Sequence, residues 1–245
     1  MISDESKSLT HLYTHTDDQL VMYTRFPVGY PVGSPVAGTW QVPVLNGFNS
    51  LNIPVELIAF DDRKRSSDPR NTGIHFYRND TKFASVLKNP LSWVNTFMDF
   101  GYVLTPDISL GDDMPSWMRQ HITCLSRAVG VVWQQRGMNV IPSLRWRSNE
   151  DLPFVTAGIA EGGTIAVSNY GFRSELSERI IFREGLEEVL EILKPEKVLL
   201  YGSADLNLRA LLEDKTDLNV YQSPIDVQRS RAQVIEDEDA VWKLF

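Results

Sequence analysis

Seven side chains with chemical reach stand where apolar runs give way to loops: Asp61, Asp107, Arg145, Trp146, Ser168, Asn169 and Tyr201. Two carboxylates, Asp107 and Asp61, can divide general acid and general base work, or hold a divalent cation. Arg145 offers a forked donor suited to phosphate or carboxylate. Trp146 and Tyr201 present flat rings on which a sugar or base can stack, and Ser168 and Asn169 add hydrogen-bonding groups. The set is compatible with hydrolysis or transfer at a nucleotide, a nucleic-acid end or a sugar. The residues leave the cofactor open, a divalent cation on the carboxylates being one option. A plainer reading stands beside it. Asp107 after Pro106 can turn the chain, Arg145 can pair with Asp107, and Trp146 can cap the core.

The elements that would position these groups follow from the apolar pattern. "VELIAF", "GIHFY", "YVLTPD", "NVIPSL", "GTIAVSNYG", "KVLLYGS" and "LNVYQ" are short apolar runs of the kind buried on both faces of a parallel sheet, with "FVTAGI" as either an eighth strand or a loop. Helical patterns lie between them. The clearest starts at Pro115 and places Trp117, Met118, Ile122, Leu125, Val129, Val132 and Trp133 on one face, with Arg119, Thr123, Arg127 and Gln134 opposite, and stops at Gly137. Cys124, inside this pattern, reads as a small core filler. A second helix runs from Phe182 to Leu193, ahead of Pro195.

Strands alternating with helices indicate βα units. The expected fold is α/β, with a parallel sheet of about seven to eight strands. A (β/α)-barrel-like closure is the first choice and an open doubly wound sheet the second. Either one puts ligands at the C-terminal ends of the strands, where Asp107 and the other six residues lie.

Composition narrows the function classes. With 245 residues and 42% hydrophobic content, the chain can bury a large core. A net charge of -8 argues against strong non-specific binding to nucleic acid, which needs a positive field. One cysteine forms no internal disulfide, which fits a reducing compartment. No apolar run approaches membrane-spanning length, and "MISDESKSLTHLYTHTDD" lacks the pattern of a signal peptide. A cytoplasmic protein with no membrane partner is expected.

The boundaries read as an N-terminal polar segment and Pro/Gly-rich arm at 1–41, a single α/β domain at 42–225 and an acidic tail at 226–245. The arm repeats Pro27-Val28-Gly29, Pro31-Val32-Gly33 and Pro35-Val36-Ala37, and is expected to lie extended over the domain. The tail, "VIEDEDAVWKLF", joins acids to aromatics. Arm and tail are the two places where a protein partner can engage; the strand ends suit a small-molecule or nucleotide-like ligand. His11 and His15 are a weak zinc signal without a third ligand. His75 and His121 are isolated, and His121 is expected to pack in the core. Walker A, GxGxxG, GxSxG, HExxH and paired CxxC motifs are absent.

"VPVLNGFNSLNIPVELIAFDD", "FGYVLTPDISLGDDMPSWMRQ", "GVVWQQRGMNVIPSLRW", "TIAVSNYGF" and "PEKVLLYG" together resemble the family catalogued as domain of unknown function 4417. The resemblance runs from about Val42 to Gly202. It implies an α/β domain in a bacterial, phage or mobile-element setting and carries no catalytic residues across. The proline arm and the acidic tail lie outside it.

Overall fold

A computed structural model describes residues 27–48, 52–111, 113–170, 172 and 175–228. His11, His15 and the tail beyond Gln228 lie outside these residues.

The strand readings hold for seven of the apolar runs. A two-stranded antiparallel ribbon, β1 (Val36–Ala37) and β2 (Val42–Pro43), precedes two parallel sheets of four strands each. The first is ordered β3 (Glu56–Ala59), β4 (Thr72–His75), β5 (Tyr102–Leu104) and β6 (Val140–Ile141). The second is ordered β10 (Asp217–Tyr221), β9 (Lys197–Tyr201), β8 (Thr164–Ser168) and β7 (Ser143–Leu144). Strands β6 and β7 are two halves of "NVIPSL", separated only by Pro142. Proline supplies no ladder donor, but the Pro142 carbonyl still accepts from Ala166 N at 2.9 Å. The single run expected here therefore serves two sheets.

Helices fill the crossovers: α1 (Ala84–Lys88), α2 (Val94–Phe97), α3 (Ser116–Gln134), α4 (Leu152–Val155), α5 (Leu176–Leu193) and α6 (Leu206–Glu213). "FVTAGI" is neither strand nor wholly loop, since its first two residues close α4. The Asp151 carboxylate starts the turn leading into that helix, accepting from Arg147 N at 2.8 Å and Ser148 N at 3.2 Å. Helix α5 begins six residues before the apolar stripe at Phe182, so its first turns carry a separate face.

Two hydrophobic clusters cover the outer faces of the sheets. Ile74, Phe76, Val103 and Val140 pack under Val129, Val132 and Trp133 of α3. Val167, Val198 and Leu200 pack under Leu186, Val189 and Leu190 of α5. A third cluster joins the inward faces of both sheets through Leu57, Leu104, Ile141, Ala166, Leu199 and Tyr221. The alternation of side chains along each strand produces this division.

Helix α3 departs from its expected two-sided character. Arg127 is 1% exposed; it donates to Ser143 O at 3.1 Å and to Val155 O at 2.8 Å. Strand β7 and helix α4 cover the face that periodicity assigns to solvent. His121 reverses the other way: it is exposed on α3, not packed in the core.

The first two units of the proline repeat are tight turns, not the extended backbone expected, and Tyr30 between them packs against the first hydrophobic cluster. Tyr30 N bonds Pro27 O and Ser34 N bonds Pro31 O, both at 3.2 Å. Gly29 and Gly33 take φ of 86° and 85°, the left-handed backbone that the third residue of a type II turn requires. In the third unit Ala37 replaces glycine, and the chain extends into β1. Among the described residues no helix is long and apolar enough to cross a membrane.

Candidate functional site

The C-terminal strand ends divide into a closed half and an open half. In the closed half, Asp107 is 5% exposed and accepts from Arg145 with both oxygens, at 2.9 and 3.0 Å from Nε and 2.5 Å from Nη2. Burial alone would lower the Arg145 pKa, but the adjacent Asp107 carboxylate outweighs it and the net shift is upward. The turn carrying Asp107 is fastened residue by residue. Thr105 Oγ1 accepts from Ser143 N at 2.9 Å, and Ser126 Oγ donates to Pro106 O at 2.7 Å. The following loop is tied down by Ser109, whose Oγ donates to buried Asp80 at 3.0 Å.

Three rings meet between the C-terminal ends of β4 and β9. His75 and Tyr201 have centroids 4.3 Å apart, and Tyr77 stacks on Tyr201 at 5.0 Å. His75 Nδ1 accepts from Tyr77 N at 3.1 Å, so Nε2 carries the proton of the neutral ring. Burial drives the His75 pKa down to about 3, with Arg78 adding to the effect. Burial also pushes the Tyr77 hydroxyl up, and this hydroxyl accepts from Ser143 Oγ at 3.0 Å. The sequence left His75 isolated and Tyr77 unremarked, whereas the structure stacks them with Tyr201. Their i, i+2 spacing at the end of β4 was the available signal, because alternate residues share a face.

The two proposed carboxylates stand in separate ion pairs. Asp61, on the turn after β3, lies 3.6 Å from Arg78 Nε, while neighbouring Asp62 meets Arg78 Nη2 at 3.0 Å. Among the described residues no group of three or more His, Cys, Asp or Glu side chains is placed to hold a metal ion. Trp146 does not reach the rim. It is 1% exposed, stacks on Phe182 with centroids 5.5 Å apart, and donates from Nε1 to Ile181 O at 3.2 Å. A Cβ on Gly185 would come within 2.1 Å of that nitrogen, so α5 approaches the ring only because residue 185 has no side chain. Arg145 and Trp146 are consecutive, and consecutive side chains leave a strand end on opposite faces.

The open half lies at the ends of β8, β9 and β10. A cleft of about 590 Å³ is lined there by Asn169, Phe172, Arg179, Arg183, Ser203 and Gln222, among others. Asn169 Nδ2 donates to Ser203 O at 2.6 Å, bracing two strand ends together. Ser168 Oγ, directed into the chain, accepts from Tyr170 N at 3.1 Å. Two acids also line the cleft, but each has a backbone task. Asp205 caps α6 by accepting from Leu208 N at 2.8 Å, and Asp226 accepts from Ser223 N and Oγ at 3.1 and 2.6 Å. Arg179 and Arg183 sit one helical turn apart on α5. Like charges at that spacing cost roughly 0.2–0.5 kcal/mol of helix stability. Phe172 connects the halves, with the Arg145 guanidinium 6.0 Å from its ring.

The family described as Domain of unknown function (DUF4417) matches residues 34–220 of this sequence. The chain belongs to that family. The DUF4417 span contains Asp107, Arg145, Arg179, Arg183 and Ser203, whereas Gln222 and Asp226 lie just beyond it. Two phage proteins are similar to the chain. The Gene 1 protein of Mycobacterium phage D29 is 31% identical over 188 residues, which cover 74% of this chain and 69% of that protein. The Gene 1 protein of Mycobacterium phage L5 is 33% identical over 152 residues, 61% of this chain and 66% of that protein. No solved structure shows significant similarity.

Proposed function

We propose that this DUF4417 chain binds an anionic, nucleotide-like ligand in the cleft at the ends of β8, β9 and β10. The carrying observation is a cleft of about 590 Å³ in which Arg179 and Arg183 face the polar groups of three successive strand ends. That volume lies in the range of small-molecule sites, and parallel α/β sheets bind ligands at this end. The arginines supply phosphate or carboxylate recognition. Asn169, Ser203 and Gln222 supply directional hydrogen bonds, while Phe172 and Leu208 give an apolar wall. Asp107 and Arg145 act as a rigid platform beside Phe172, and the aromatic group of His75, Tyr77 and Tyr201 plugs the centre of the mouth. In this reading Asp107 and Asp61 do no proton transfer.

The same reading treats the two sheets as one barrel-like roll. Support comes from the inward cluster, which draws on both β3 (Leu57) and β10 (Tyr221), the outermost strands. Tyr221 also donates its hydroxyl to Pro54 O at 2.5 Å across that seam. A flat doubly wound sheet would hold its two outer strands far apart.

Isothermal titration with a nucleoside diphosphate, and with pyrophosphate alone, tests the proposal. Binding is expected for the wild-type chain and is lost in Arg179→Ala/Arg183→Ala, with the unfolding midpoint held. Equal binding by both proteins places the ligand elsewhere.

A further inference from the structure

The wall of the cleft carries more apolar surface than a nucleotide needs. Helix α5 has its core face at Phe182, Leu186, Val189, Leu190 and Leu193. A second face is formed by Leu176, Arg179, Ile180 and Arg183, at spacings of three and four, and these four residues all line the cleft. Leu176 is 73% exposed and Ile180 46%. Leu206, between the lining residues Asp205 and Asn207, is 86% exposed. Large aliphatic side chains stand here beside two arginines at the lip of a cleft, while the two acids of the same cleft, Asp205 and Asp226, are held by Leu208 N and by Ser223; the guanidinium groups on α5 give the greasy face its positive edge. Such a surface matches a segment that is both greasy and anionic.

The chain contains one at the right place. The described residues stop at Gln228, at the end of a helical segment, 224–228, whose Asp226 lines the cleft. The sequence then runs on to Glu236-Asp237-Glu238-Asp239, followed by Val241, Trp242, Leu244 and Phe245. Seven residues lie between Gln228 and Glu236, and the eight steps from one to the other reach up to roughly 26–29 Å at ~3.3–3.6 Å per step. The exposed face from Leu176 to Arg183 is only about 10 Å long at ~1.5 Å per residue.

We propose that residues 236–245 dock in cis on the face of α5 formed by Leu176, Arg179, Ile180 and Arg183. The acidic run pairs with the two arginines, and Trp242 and Phe245 cover Leu176, Ile180 and Leu206. The consequence for function rests on the cleft being the ligand site. A tethered acidic segment then competes with an anionic ligand for the same guanidinium groups, and its local concentration favours the intramolecular contact.

Photo-crosslinking of the full chain reads the contact directly. A benzophenone amino acid in place of Trp242 is expected to link, within one chain, to the segment from Leu176 to Arg183 or to Leu206. The charge reversal Arg179→Glu/Arg183→Glu lowers that yield several-fold. Links between two chains, links to another surface, or a yield indifferent to charge reversal overturn the proposal. A second full-length variant separates this from the ligand reading: Glu236→Gln, Asp237→Asn, Glu238→Gln and Asp239→Asn together. It is expected to bind pyrophosphate several-fold more tightly than the wild type; unchanged affinity refutes competition. Absence of binding by both proteins defeats the ligand reading, while the crosslink still decides the docking.

Discussion

The two halves of the strand-end mouth occupy equivalent positions in the fold and are built in different ways. At β5 and β7, each polar group finds its partner within the protein: Asp107 with Arg145, Thr105 with Ser143, Ser126 with Pro106. At β8, β9 and β10, groups such as Asn169 and Asp205 are also braced within the protein, but they line a cleft, and α5 adds the guanidinium groups of Arg179 and Arg183 to it. The position at the end of a parallel strand therefore does not by itself make a residue catalytic. It offers a place where polar groups survive burial, and that place serves rigidity as readily as binding. Phe172, between Arg145 and the cleft, is where the two uses meet.

The comparison breaks first if the closed half is not structural. Asp107→Asn removes a carboxylate that is 5% exposed and leaves the Arg145 guanidinium without its counter-charge. Losing one member of a buried pair costs about 3–5 kcal/mol. Because the Arg145 side chain keeps 22% exposure, about 3 kcal/mol is expected by urea denaturation. A loss below about 1 kcal/mol would return Asp107 to the list of functional groups.

A smaller effect comes from the ring at the end of β4. His75 is neutral in the folded chain, with its pKa lowered to about 3 by burial and then by Arg78. In the unfolded chain it takes up a proton near pH 6.5. Between those values the unfolded state binds more protons, so stability rises with pH and falls on acidification below about 6.5. Its contribution between pH 7 and pH 5 is a loss of roughly 2 kcal/mol. His75→Gln is expected to flatten that part of the stability profile measured by chemical denaturation. A slope equal to that of the wild type would mean that another group is responsible.

Much of this architecture is legible in the sequence because strands buried on both faces leave an unmistakable run of apolar residues. "VELIAF", "YVLTPD" and "KVLLYGS" all become parallel strands with polar ends at the mouth. What is not legible is the partner of each polar residue. Arg127 reads as solvent-facing because helical periodicity registers only one covered face, while β7 and α4 cover a second. Trp146 reads as a ring beside Arg145 because adjacency in the sequence hides the alternation that sends it to Phe182. Arg179 passes unnoticed because it precedes the apolar stripe that begins at Phe182, and Arg183 because it lies on the polar side of that stripe.

The smallest expected effect marks where the open half ends. Asp61 lies 3.6 Å from Arg78, with side-chain exposures of 31% and 33%, and Arg78 keeps a second acid, Asp62, at 3.0 Å. Exposed pairs of this kind contribute about 0–1 kcal/mol, and here one partner is already shared. Asp61→Asn is expected to shift stability by less than about 0.5 kcal/mol. It should also leave pyrophosphate affinity unchanged, since Asp61 is not among the residues lining the cleft that contains Arg179 and Arg183. A clear fall in affinity without a fall in stability would carry the binding surface across the mouth to β3. It would then join the cleft to the smaller one of about 340 Å³, where Asp62, His75 and Arg78 meet Gln222, the residue common to both.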